Sequence, residues 1–177
     1  RYDANGNLEK DDYTNSITQD FKYDEEDRLV EAPNNGSVVG RYVYDARGKR
    51  VRRTAGGQET WQVYGIAGGL LAEYAAGAAP TAARKEYGYR NGKLLMVWDG
   101  GETGDKQLQW LVPDHLGSTR MAVDRSGSLS KIIRQDFAPF GEPLGSGMGA
   151  RNANNGYGST SIRQKFTGYE KDDEAGL

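Results

Sequence analysis

The sequence predicts an all-β chain built of repeated antiparallel β-hairpins, with few or no helices. Three observations carry this. A Tyr-Asp pair recurs at Tyr2-Asp3, Tyr23-Asp24 and Tyr44-Asp45, at intervals of 21 residues. The chain holds 25 Gly and 11 Tyr among 177 residues while only 36% of it is hydrophobic, the balance of many short strands joined by tight turns. Residues before each Asp alternate in character, as in Phe21-Lys22-Tyr23 and Tyr42-Val43-Tyr44, which suits strands with one buried face.

Each unit follows from elementary chemistry. Asp starts the turn, because its carboxylate can accept backbone N–H groups two residues on. Gly6 and Gly48 stand at one offset after Asp, with Asp27 in the middle copy, where a left-handed backbone closes a hairpin loop of three to five residues. Leu8 and Leu29 restart the second strand, and Val51 comes one place late. The interval accommodates two strands of about seven or eight residues plus two turns. Tyr is expected to set its ring on the inner face and to offer its hydroxyl to a neighbour. Weaker copies stand at "YGYRNGKLLMVW" (87–98), with Tyr89 and Gly92, and at "MAVDRSGSLSKII" (121–133). In the latter Val123-Asp124 replaces Tyr-Asp, and Gly127 and Leu129 keep the offsets.

The chain divides by motif into Tyr-Asp hairpins (1–60), longer hairpins (61–112) and a distinct C-terminal region (113–177). Gly77 and Pro80 interrupt the Ala-rich piece 75–83, which is expected to be a hairpin loop. Residues 99–107 form a loop before the apolar strand 108–112, and the Gly/Asn/Ser-rich 145–161 is expected to be irregular or mobile. Arg1 falls inside a repeat unit, so the sequence is read as a segment of a longer chain.

Composition narrows the function. A net charge of -2 carries no nucleic-acid footprint, and the basic run "RGKRVRR" (47–53) is expected to be a solvated strand face. No Cys is present, which removes disulfides, thiolate metal sites and a Cys nucleophile, and one His removes a His-rich metal site. No apolar run approaches the roughly 18 residues of a membrane-spanning helix.

From "PDHLGSTRMAVDRSGSL" (113–129), "DFAPFGEPL" (136–144) and "KFTGYEKDDEAGL" (165–177), the chain resembles the Rhs/YD-repeat family with its associated core region. The resemblance covers essentially the whole chain. It departs where Ala138 stands for Asp and Phe137 for Tyr in the family's Tyr-Asp-Pro-Phe-Gly block. The resemblance implies a β-sheet spiralling into a hollow shell or cocoon. In bacterial polymorphic toxins and toxin-complex components such a shell encloses a C-terminal toxic domain; in teneurin-like proteins it serves adhesion. It implies structural roles for Asp114, His115, Gly117, Arg120, Pro139, Phe140, Gly141 and Gly168. The family's aspartyl self-cleavage lies in sequence beyond Leu177.

Residues that invite a chemical role have a plainer structural reading. Asp114, His115 and Ser118 suggest a hydrolase, but neighbours on a strand point to opposite faces and a triad is assembled from separated segments. Asp172, Asp173 and Glu174 suggest a carboxylate or calcium site, yet the ligand spacing of a calcium loop is absent, and a solvated acidic turn is expected. Trp61, Trp98 and Trp110 suggest a sugar-stacking face, with inward core positions the default. The sequence thus predicts no catalytic, cofactor or metal residue. It predicts a β-shell segment that encapsulates or presents an effector domain, secreted or on a bacterial surface, with flanking repeats and that effector as partners. An adhesin or filament that binds glycans, or self-associates through sheet edges, is the alternative. Part of a self-cleaving core is the third.

Overall fold

The computed structural model describes residues 1–10, 20–34 and 37–172. They form eleven strands: β1 (Lys22–Tyr23), β2 (Leu29–Asn34), β3 (Ser37–Tyr44), β4 (Arg50–Ala55), β5 (Gln58–Tyr64), β6 (Leu70–Ala75), β7 (Ala83–Arg90), β8 (Lys93–Asp99), β9 (Leu108–Pro113), β10 (Thr119–Asp124) and β11 (Ile133–Arg134). Their order in the sheet is their order in the chain, and each pairing whose register is defined is antiparallel. Among the described residues the helical elements are four short 3₁₀ turns. The all-β, hairpin-built prediction therefore holds.

Two kinds of tight connection recur between strands. One is a five-residue corner, considered below. The other is a two-residue turn with both residues at positive φ, at Gly56-Gly57 (56° and 74°) and Asn91-Gly92 (51° and 75°). Positive φ at both central positions matches the right-handed twist of the strands it joins. Alternating the two kinds gives a repeat close to the sequence period, 20 residues from the Asp45 corner to the Gly65 corner. From Asp45, a corner, the six residues of β4, the Gly pair and the seven of β5 bring the chain to Tyr64. Pro80 and Gly77 fall between β6 and β7, and residues 104–107 form a 3₁₀ turn ahead of β9. The copy at Val123-Asp124 departs from expectation. Gly127 closes its turn by donating to the Asp124 carbonyl at 3.0 Å, but Leu129 enters a 3₁₀ turn with its side chain in solvent, and pairing resumes only at Ile133.

The chain resolves into two compact units: the described parts of Arg1–Val63 and Glu73–Pro80 with Asp172, and Tyr64–Ala72 with Thr81–Lys171. In the second, the buried face carries Tyr87, Val97, Leu111 and Ala122, which are cross-strand partners in the pairs Tyr87↔Val97 and Leu111↔Ala122. Ile162, from the segment after the irregular stretch, packs on that row. Fully burying a side chain of this size contributes about 1.5–3 kcal/mol.

In the first unit the covered face is built differently. Around Tyr42 it gathers Thr60, Gln62 and the guanidinium of Arg50, which lies 5.1 Å over the Tyr42 ring. Arg50 also donates to Gln62 Oε1 at 3.2 Å and pairs with Asp172, and Arg53 Nε stands 3.7 Å from the same carboxylate. Two expectations are corrected here. Arg50 and Arg53 are only 13% and 16% exposed, so their stretch of the basic run is not a solvated face. Asp172, at 15%, is not a solvated acid; the bulge at Val51, where Val43 pairs with Arg52 but Tyr44 with Arg50, offsets the alternation so that both Arg50 and Arg53 reach it. Asp173 and Glu174 lie outside the described residues. The inward default for tryptophan also fails at two positions, since Trp61 and Trp110 are 44% and 42% exposed.

Within 145–161 the chain is irregular but tied by its own hydrogen bonds. Asn152 Oδ1 accepts from Asn155 N at 2.9 Å, and Gly156 O accepts from Arg134 N on β11 at 2.9 Å. Gly156 has φ 88°, and a Cβ there would lie 2.3 Å from Ile132 O. Gly156→Ala is expected to cost about 2–4 kcal/mol, from backbone strain and a collision with fixed backbone. Gly158→Ala, where a Cβ meets nothing within 4 Å, should be near neutral. Urea unfolding of both variants measures the difference.

Candidate functional site

The recurrent five-residue corner is the feature the sequence repeats. If its first residue is i, the N–H of i bonds the carbonyl of i+4, and the N–H of i+3 bonds the carbonyl of i. Both bonds are present at Asp3, Asp24, Asp45, Gly65, Asp114, Ala138 and Lys165, at 2.8–3.3 Å, seven corners among the described residues. The flanking residues pair as Tyr2↔Leu8, Tyr23↔Leu29, Tyr44↔Arg50, Pro113↔Thr119, Phe137↔Pro143 and Gln164↔Glu170. The fourth residue has positive φ throughout: Gly6, Asp27, Gly48, Gly68, Gly117, Gly141 and Gly168, between 58° and 97°. Asp27 is the one non-glycine, and Asp tolerates the left-handed region better than most residues.

At four corners the Asp carboxylate adds a second layer. Oδ1 of Asp3 accepts from Asn5 N and Asn7 N, of Asp24 from Glu26 N and Arg28 N, of Asp45 from Arg47 N and Lys49 N, and of Asp114 from Leu116 N and Ser118 N, all at 2.8–3.0 Å. Hydrogen bonding from Lys49 N–H first, then Arg47 N–H, outweighs desolvation and holds the Asp45 carboxyl below its ordinary value. At Asp3 the leading cause of the same lowering is the Asn7 side chain. At Asp24 desolvation raises the carboxyl, and bonds from Arg28 and Glu26 N–H reverse it.

The tyrosine before the corner joins one unit to the last. Tyr23 donates its hydroxyl to Leu8 O at 2.9 Å and Tyr44 to Leu29 O at 2.8 Å, each bond reaching back 15 residues to the first residue past the preceding corner. Tyr89 is hydrogen-bonded to the backbone of Leu70, which holds the same place after the Gly65 corner, and its ring lies over Gly69. Burial pushes all three phenols up, so each hydroxyl keeps its proton. Tyr89 thus reaches the residue past a corner as Tyr23 and Tyr44 do, but at its N–H rather than its carbonyl, and a two-residue turn, with Gly92 at its end, follows it.

The three C-terminal motifs converge. Ser118 Oγ accepts from Thr167 N at 2.9 Å and Thr119 N donates to Lys165 O at 3.1 Å, so the 165–169 corner packs on the 114–118 corner. Gly117 and Gly168 face each other across this contact. Arg120 donates to Asp136 Oδ1 at 2.5 Å, while Arg151 Nε and the Tyr157 hydroxyl donate to Asp136 Oδ2 at 2.8 and 3.0 Å. Burial alone raises the Asp136 carboxyl, but these donors and the Arg120 charge overcome it and hold it below the usual carboxylate range. Phe137 meets Phe166 edge to face at 5.9 Å, and Gly141 leaves room for that ring. His115, Pro139 and Phe140 sit outside this cluster, exposed on their corners, Phe140 at 89%. No triad forms: Ser118 is bonded to Thr167 N and His115 points to solvent.

Sequence reasoning missed several members. The Gly65 corner follows Tyr64 one residue early in the repeat, with Gly in place of Asp, and Gly68 at the fourth position was its signal. Arg151 and Tyr157 lie in a stretch whose composition gave no sign of a role. Among the described residues no group of three or more His, Cys, Asp or Glu could hold a metal ion, and no helix is long and apolar enough to cross a membrane.

No protein-family model matches this sequence, and no curated protein matches it. Solved structures do match by fold. A crystal structure of TcdB2-TccC3 aligns with TM-score 0.53 at 17% identity over 88% of this chain. One of TcdB2-TccC3-Cdc42 aligns with TM-score 0.54 at 16% identity over 98% of it. A Tc holotoxin pore from Photorhabdus luminescens aligns with TM-score 0.52 at 17% identity over 88%. This chain spans 8% of the length of each. It therefore shares its β-hairpin fold with a part of these toxin-complex structures.

Two measurements probe the corners and the clamp. Tyr44→Phe, which loses the bond to Leu29 O, is expected to cost about 1 kcal/mol in urea unfolding. Tyr2→Phe, at an exposed ring, should stay within about 0.5 kcal/mol of the parent. Asp136 has a folded-state pKa below its unfolded one, so its contribution is complete above about pH 4 and is lost as pH falls through the folded value. Asp136→Asn should cost about 2 kcal/mol at pH 7, with the gap to the parent narrowing as unfolding is repeated toward pH 2.

Proposed function

We propose that this chain is a structural segment of an Rhs/YD-repeat β-shell, which in the whole protein encloses or presents a C-terminal toxin or effector domain. The observation that carries this is the coupling of corners: the Tyr hydroxyl of one unit caps the carbonyl that leaves the previous corner, so units lock in series at the 21-residue interval. Fold likeness to toxin-complex structures and the convergence of the three C-terminal motifs support it.

The mechanism is exclusion. Strands that follow one another in chain order have their backbone polar groups paired, which leaves a wall with few openings to solvent or proteases. The partners are flanking repeats and the enclosed effector, and the setting is a bacterial secreted or surface protein. We assign no reaction to these residues. A second reading, a surface adhesin or filament that stacks sugar rings, draws on the half-exposed Trp61 and Trp110.

Limited proteolysis of the full-length protein tests the shell directly. The effector domain should survive protease at least about tenfold longer inside the intact protein than after the wall is opened by mild denaturant. Equal digestion in both states would defeat encapsulation, and a filament in electron micrographs would favour the second reading.

A further inference from the structure

We propose that the outer edge of residues 1–3 is a docking surface for the strand leaving a preceding five-residue corner of the same polypeptide, and that the Tyr2 hydroxyl grips that strand at its first carbonyl. The inference rests on the repeat reading above and names the atoms by which this unit receives the one before it.

Position gives the first argument. Tyr2 stands 21 residues before Tyr23, as Tyr23 stands before Tyr44, and each precedes an Asp-led corner. Tyr23 and Tyr44 each donate their hydroxyl to a carbonyl 15 residues back, on the first residue past the preceding corner. One more step of the same interval places the acceptor for Tyr2 on a strand ahead of Arg1. The interface between units is thus continued, not invented.

Exposure gives the second. The rings of Tyr23 and Tyr44 are half-buried, whereas Tyr2 is 68% exposed and its hydroxyl bonds none of the described residues.

The backbone gives the third. Arg1 O accepts from Glu9 N at 2.9 Å and from Lys10 N at 3.1 Å, and Asp3 N donates to Asn7 O at 2.9 Å. In antiparallel pairing, successive residues turn their N–H and C=O groups to opposite sides. Arg1 and Asp3 turn theirs toward 7–10, so Tyr2 turns its own to the sheet edge. An edge of this kind is a template for another strand.

The phenol selects which strand docks. A bare edge accepts many registers, but the hydroxyl needs a carbonyl that the neighbouring strand turns outward, as a strand does on leaving a corner. A second copy of this chain is a poor source. Its corner-exit carbonyls at Leu8 and Leu29 are already taken by Tyr23 and Tyr44. A preceding repeat offers its own, still open.

The test uses the full-length protein. In its structure the Tyr2 hydroxyl should lie about 2.7–3.0 Å from the carbonyl of the first residue past an upstream corner. In solution, Tyr2→Phe, near neutral in this chain by itself, should speed amide exchange along strand 1–3 of the full-length protein about fivefold, the effect expected of Tyr44→Phe on β3. An edge left in solvent, or covered by a second copy or by any element other than a strand leaving a corner, overturns the proposal, as does exchange unchanged in Tyr2→Phe. A closed shell without this bond removes the present inference and leaves the shell reading standing. A filament in which the bond is made removes the shell reading and leaves this one.

Discussion

The structure depends on one backbone constraint: a chain that reverses over five residues must place its fourth residue in the left-handed region. With that satisfied, two hydrogen bonds close the corner and the flanking residues fall into antiparallel register. Every corner among the described residues meets it, six with glycine and one with Asp27. The positive φ is the shared element, and the aspartate is an addition. The corners at Gly65, Ala138 and Lys165 close through backbone bonds without a leading carboxylate. Where Asp is present its Oδ1 takes two further N–H groups that a short loop would leave to water.

The tyrosine does what the aspartate cannot, because it acts between units. A strand leaving a corner turns one carbonyl outward, and the next unit's phenol reaches it. Stability then accrues by neighbour contact, as in other repeat architectures, and each unit is completed by the one after it. The Tyr89–Leu70 contact makes the same point where the period breaks. The loop between β6 and β7 lengthens the chain between them, a two-residue turn follows the tyrosine, and the contact is still made. Spacing and the backbone group engaged vary; the reach of the phenol to the residue past the corner is kept.

What was legible in the sequence was what is local. Tyr44, Asp45 and Gly48 lie within five residues, so their chemistry can be read from adjacency, and the hairpin period follows from counting. Gly65 and Lys165 were hidden because a corner needs only the right φ at its fourth position, and many sequences can supply that. Long-range partners left no local mark. Asp172 meets Arg50 across 122 residues of sequence, and in isolation a run of acids reads as solvated. Arg151 and Tyr157 bind Asp136 from a Gly/Asn-rich stretch whose composition describes its irregular backbone and conceals its two anchoring side chains.

The acids follow the same division between local and long-range partners. Asp136 has both oxygens occupied by Arg120, Arg151 and Tyr157, so its lone pairs are spent on holding the C-terminal motifs together and it has little capacity left as a base or ligand. Asp45 gives Oδ1 to the corner it closes, where it takes two N–H groups. Asp124 begins as they do, with Oδ1 given to its own turn, and its Oδ2 stands 3.8 Å from Lys131 Nζ. These carboxylates serve as structural fasteners: each gives an oxygen to the turn it closes or to the motifs it ties together.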